Sequence, residues 1–231
     1  MSRWIPALLL GILALIAETA LPALRRRTPQ RGKPLVEISA PLIAGPLPLG
    51  LALGVGWISL REAGLVGPLR FAPGTFLGWP PADWVRGIGL AGLYGGLTLL
   101  ALWSSGLWRP CPVPWSERLE EAFTALAREA LLALGRGILI AAWFPQSPLP
   151  AAWMAFGIWW GARWKFGGDR EAAQGPAIWG GALTATALFG LTGHLWLSAA
   201  VHALVAALLA GPKTSFAPQG FPILTDRDHP L

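Results

Sequence analysis

About seven largely apolar stretches of this chain run for some fifteen to thirty residues, most with few charges in them, and arginine, lysine, proline or glycine stands at or close to the end of each. Few folds accept such runs. Where no water reaches the backbone, every N–H and C=O must be satisfied within its own segment or in a closed barrel. Barrel strands alternate apolar and polar residues over short runs, whereas these runs are continuous, so helices are expected. Only 13% of the residues are charged and 54% are hydrophobic, against roughly 25% charged in a soluble domain. Fourteen tryptophans suit a membrane–water interface. The expected fold is all-α, a polytopic membrane helix bundle of about seven spans.

The spans read as Trp4 to Leu24, Leu35 to Leu60 interrupted by Pro41, Pro46 and Pro48, Gly87 to Trp108, Ser116 to Phe144, Leu149 to Trp164, Ala177 to Leu191 and Leu195 to Ala210. Arg25, Arg26 and Arg27 follow the first run, which marks it as an uncleaved span rather than a signal peptide. Arg61 to Arg86 and KFGGDREAAQGP read as loops. Ser116 is the expected N-cap of the fourth span, with Glu117, Glu120 and Glu121 at its positive end.

Net charge is +6, but the basic residues lie mostly between apolar runs. There they set topology and meet lipid head groups, so membrane lipid rather than nucleic acid is the expected partner. With the N-terminus outside, inner connections hold Arg25, Arg26, Arg27, Arg31, Lys33, Arg109, Arg118, Arg163, Lys165, Arg170, Lys213 and Arg227. Outer ones hold Arg3, Arg61, Arg70 and Arg86. That asymmetry predicts an integral membrane protein oriented N-out and C-in. Cys111 is alone, so no intrachain disulfide forms.

Two spans carry ionisable groups at depth. Glu129 shares a helix face with Ala122, Ala125, Leu126, Leu132, Ala133 and Arg136. A carboxylate facing lipid is costly, so Glu129 is expected to face the bundle interior, with Arg136 two turns away as partner. His202 sits in LWLSAAVHALVAALLA with Ser198, one turn earlier, as its local polar neighbour. His194 is more than two turns from His202 and does not form an obvious chelating pair with it. Glu18 and Glu37 lie near span ends or breaks, and His229 lies in the tail.

The order of these features resembles the CAAX prenyl protease and bacteriocin-processing family of membrane proteins, also called the Abi family. Its pattern is Glu-Glu-x-x-x-Arg, then Phe-x-x-x-His, then His-x-x-x-Asn after a Gly-x-Leu-Trp approach. Here Gly193-His194-Leu195-Trp196 followed by His202 looks like that approach, with Ala206 where Asn is expected. Phe156-Gly157-Ile158-Trp159-Trp160 looks like the second element, with Trp160 in the His position. Arg128-Glu129-Ala130-Leu131-Leu132-Ala133 looks like the first, keeping its second Glu. An alternative register uses Glu120-Glu121, with Ala125 in the Arg position.

The resemblance divides the chain into N-terminal spans (1–110), a family-like helical core (111–211) and a polar tail (212–231). It implies a bacterial-type inner membrane and an intramembrane endopeptidase acting on a membrane protein or peptide. Glu129 would be the general base and His202 the electrophilic partner. Arg128, Arg136, Phe156, Trp160 and Ala206 would line the site, and a divalent metal such as zinc would serve as cofactor. Trp160 has no lone pair to ligate a metal and Ala206 has no polar group. A non-catalytic scaffold or assembly factor on the same frame is therefore the alternative, and a small transporter is a third.

Overall fold

A computed structural model gives the structure of the protein and describes residues 4–27, 33–69, 72–107, 112–166 and 169–210. The polar tail with His229, and the basic residues Arg3, Arg31, Arg70, Arg109, Lys213 and Arg227, lie outside the described residues. The described residues form eight helices and no strand. They are α1 (Trp4–Arg27), α2 (Lys33–Ala44), α3 (Pro46–Gly54), α4 (Pro81–Ser104), α5 (Trp115–Ala142), α6 (Pro148–Phe166), α7 (Asp169–Thr192) and α8 (Leu195–Leu209).

By length and composition α4 is long and apolar enough to cross a membrane, and shorter apolar helices run over Trp4–Ala20, Ser39–Gly54 and Leu195–Leu209. In α5, Arg128, Glu129 and Arg136 fall inside the apolar stretch, so that helix is set apart by its charges rather than by its length.

Several boundaries differ from the sequence expectation for identifiable reasons. The second run, expected to be interrupted by Pro41, Pro46 and Pro48, breaks at Gly45, because Pro46 opens α3 at its first position, whereas Pro41 and Pro48 stay inside helices. The chain there passes tightly over α5: a Cβ at Gly45 would stand 1.9 Å from the Ala127 carbonyl oxygen. Helix α4 starts at Pro81, six residues before the expected Gly87, since Pro81 also suits a first helical turn. Helix α7 starts at Asp169, inside the segment read as a loop, because DREAAQ consists largely of good helix formers. Pro114, not Ser116, stands at the start of α5, and no side chain caps that end.

Helix α5 is the centre of the bundle. It packs against α1, α2, α3, α6, α7 and α8. One core cluster joins Ala7, Leu49, Ala52 and Ile58 from the first half of the chain to Ala133, Leu134, Ile138, Phe189 and Leu195 from the second. A second seals α4 to α7 and α8 through Leu102, Leu188, Leu197, Val201 and Val205. Arg118 ties the two ends of the α5–α8 pair, donating from Nη1 to the Ala207 carbonyl at 3.1 Å in the last turn of α8. The outer surface is apolar: Leu9, Leu13 and Ile16 on α1 and Val85, Ile88, Leu93 and Leu97 on α4 are each about half exposed or more.

The crossing at Gly45 gives a direct test. Gly45→Ala drives a methyl into backbone that has no rotamer to yield, and should cost about 1–3 kcal/mol. A lowered thermal midpoint in detergent is the expected reading, with Gly50→Ala, which meets nothing within 4 Å, as the control.

Candidate functional site

The α5–α8 crossing encloses four polar side chains in an otherwise apolar interior. Glu129 and Arg136 come from α5, Ser198 and His202 from α8, and each is at most 1% exposed. The helix period explains the placement. Glu129 and Arg136 are seven residues apart and Ser198 and His202 four apart, so each pair lies on one face of its helix. Alanines on the Glu129 face, Ala125 and Ala133, are fully buried and let the helices approach closely.

Glu129 is the hub. Its Oε1 accepts from Arg136 Nη2 in a short ion pair and from the Ser198 hydroxyl at 2.9 Å. Its Oε2 lies 3.0 Å from His202 Nδ1. An ionised carboxylate only accepts, so Nδ1 carries the proton in that bond. In the neutral ring the lone pair is then on Nε2, the side facing α7. There Gly181 permits the approach: a Cβ on it would be 3.1 Å from His202 Cδ2 and 3.7 Å from Nε2. Arg136 also donates from Nε to the Leu132 carbonyl at 3.1 Å, and its guanidinium lies over the Phe189 ring at 4.2 Å. Its Nη1 has no partner among the described residues.

The structure thus brings together Glu129, His202 and Arg136 of the residues singled out from sequence, and adds Ser198 and Phe189. Ser198 was legible as the polar residue one turn before His202. Phe189 carried no signal.

The other candidates make contacts of their own. Trp160 packs in an aromatic group with Phe156, Trp164 and Trp179 at centroid distances of 6.5, 6.1 and 5.2 Å, alongside a cluster that includes Leu131, Leu132 and Ala182. Ala206 is half-buried on α8 and presents a methyl. Arg128 turns to α1, 3.6 Å from Glu18, and Glu18 accepts from Arg163 Nη1 of α6 at 2.6 Å. Glu18 is only 7% exposed and holds α1, α5 and α6 together, a role its position near a span end did not announce. Glu120 and Glu121 are half-buried in the first turns of α5.

His194 stands apart from His202, as expected, but it too is buried. Its ring stacks on Trp79 at 3.6 Å and meets the edge of Trp84 at 4.7 Å, and neither nitrogen has a partner among the described residues. Burial pushes its pKa down from the ordinary 6.5 to about 4, against an opposing pull from Asp83.

Among the described residues no group of three or more His, Cys, Asp or Glu is placed to hold a metal ion. The donor chemistry agrees. Glu129 is spent on Arg136, Ser198 and His202, which leaves the buried site one imidazole nitrogen, against about three protein ligands in a catalytic zinc site.

Comparison of the chain with models of known protein families, with curated proteins and with solved structures finds no match.

Two outcomes are expected. Arg136→Leu leaves the buried Glu129 carboxylate without its cation, held only by Ser198 and His202, which costs about 3–5 kcal/mol. Glu129→Gln with Arg136→Leu should recover part of that in a chemical-unfolding comparison. Because the folded chain keeps His194 neutral, the unfolded chain takes up its proton first as pH falls. Stability should therefore drop from about pH 6.5 towards pH 4, and His194→Phe should remove that part of the slope in melts across this range.

Proposed function

We propose that this is an integral membrane protein of several helices whose α5–α8 core is a reduced CAAX-type intramembrane endopeptidase site. The membrane reading is supported by the apolar exterior beside a charged interior, the reverse of a soluble protein's arrangement. Tryptophans mark both ends: Trp4 pairs with Trp143 at 6.3 Å where α1 starts and α5 ends, and Trp115 and Trp164 are 77% and 81% exposed at the other end. The surplus of Lys and Arg in the connections favours an N-out, C-in orientation in a bacterial-type inner membrane.

The observation that carries the enzymatic reading is the Glu129–His202 hydrogen bond at 3.0 Å, fully enclosed between two helices. It favours a revision of the roles that the family pattern assigns. Three of about four acceptor positions on Glu129 are in use, so the carboxylate orients rather than attacks. It fixes the His202 ring with Nδ1–H towards itself, and Nε2 is the base. In hydrolysis, Nε2 takes a proton from water as the water oxygen bonds to the scissile carbonyl carbon. The same proton goes to the leaving nitrogen as the C–N bond breaks. The metal implied by the resemblance does not fit the residues present, and no step runs through one.

A second reading, a non-catalytic scaffold on the same frame, is favoured by Trp160 and Ala206 standing where the family has polar groups. Under it the buried quartet only locks α5 to α8.

The membrane proteomes of cells bearing wild-type protein, His202→Ala and Ser198→Ala separate the two. The enzyme reading expects uncut substrate to accumulate with His202→Ala, a loss of about a hundredfold or more in cleavage, and far less with Ser198→Ala. Unchanged proteomes, with both variants folded and the cellular effect retained, would establish the scaffold.

A further inference from the structure

Phe189 lies against the buried polar quartet and also lines a cleft. Arg136 of the quartet is laid against the ring at 4.2 Å. The cleft, of about 880 Å³, is at the end of the bundle where α5 and α7 finish, lined by Arg61, Glu62, Gln146, Ser147 and Thr192 as well as by Phe189 itself. The ring is only 1% exposed, so it closes the floor of the cleft.

Two buried polar groups, one on the side chain laid against this ring and one on α7 itself, lack partners among the described residues. One is Arg136 Nη1, on a side chain with no exposure; the other is the hydroxyl of Thr186, 1% exposed. Thr186 precedes Phe189 by three residues and shares its face of α7. Buried donors are satisfied by protein, by water or by a ligand oxygen, and a guanidinium N–H can only donate. An acceptor oxygen is therefore what Arg136 Nη1 lacks, and the cleft lies on the Phe189 ring that Arg136 packs against.

We propose that the cleft is the entrance to the buried site, that Phe189 is the partition that swings aside, and that Arg136 Nη1 meets the carbonyl oxygen of the entering chain. The last clause rests on the endopeptidase reading; the entrance does not. The substrate class follows from the position of the entrance. It is an extended peptide segment exposed at the membrane surface on the side of Ser147, such as a loop or tail of a membrane protein, not a group held among acyl chains.

Cysteine accessibility tests the entrance without any need for turnover. Thr186→Cys is placed in the Cys111→Ser chain, and a charged, membrane-impermeant methanethiosulfonate is applied to right-side-out and to inverted vesicles. Ser147→Cys, exposed on the cleft rim, reports which face is labelled and that the fold is intact. Labelling at position 186 should be slow with Phe189 and about tenfold faster with Phe189→Ala, from the face that labels position 147. Phe189→Leu, a milder truncation, should fall between. Equal rates in all three backgrounds while position 147 labels normally, or faster labelling from the opposite face, would overturn the entrance. Absence of any proteolysis by the wild-type protein, with a confirmed entrance, would count against the endopeptidase reading alone.

Discussion

A carboxylate with no exposure to water has to be compensated where it stands, and the three donors around Glu129 do this. Taking a charge from water into a low-dielectric interior costs several kcal/mol after relaxation, so the pair with Arg136 is not an ornament on α5. Because both partners sit on the same helix, the ion pair alone would leave α8 uncommitted. Ser198 and His202 supply that commitment. Each donates to Glu129 from α8, so sliding one helix past the other would strand a buried charge. Register between the two central helices follows, and with it the positions of α7, whose Gly181 lies against His202, and of Phe189 over Arg136.

The polar groups of the bundle are arranged in layers along α5. Glu18, Arg163 and Arg128 link α1, α5 and α6 in one layer; Glu129, Ser198 and His202 form the next; Arg136 and Phe189 come after it and border the cleft. Charges are turned inward and leucines outward. On the membrane reading this explains why α5, the longest helix at 28 residues, carries the most charge at depth. Its neighbours neutralise it, while α4 packs only on α7 and α8 and carries no charge after Arg86. Such a division of labour follows from lipid solvating the outside.

Much of this was legible in sequence, and what was not has a physical cause. Apolar runs identified the helices because nothing else tolerates them, and the seven-residue spacing put Glu129 and Arg136 on one face. The meeting of Glu129 with His202 is different: 73 residues separate them, and no local periodicity reaches that far. It was expected only through the order of motifs. The Glu18–Arg163 pair spans 145 residues and had no motif to announce it. Trp160 was expected to line the site, and its contacts are with other aromatic rings, Phe156, Trp164 and Trp179, which no spacing rule foretold. The second run was expected to break at one of three prolines, and it does so at Pro46 while Pro41 stays inside α2; the early start of α7 was missed because polar residues punctuate a sequence without saying whether the helix resumes.

The account stands on the hydrogen bond between His202 and Glu129, and nitrogen-15 NMR of the protein in nanodiscs observes it directly. With three histidines in the chain, single substitutions assign each ring. The His202 ring should carry a proton on Nδ1, with that nitrogen's shift moving when Glu129 is changed to Gln. An Nδ1 without a proton, or a ring indifferent to Glu129→Gln, would contradict the account.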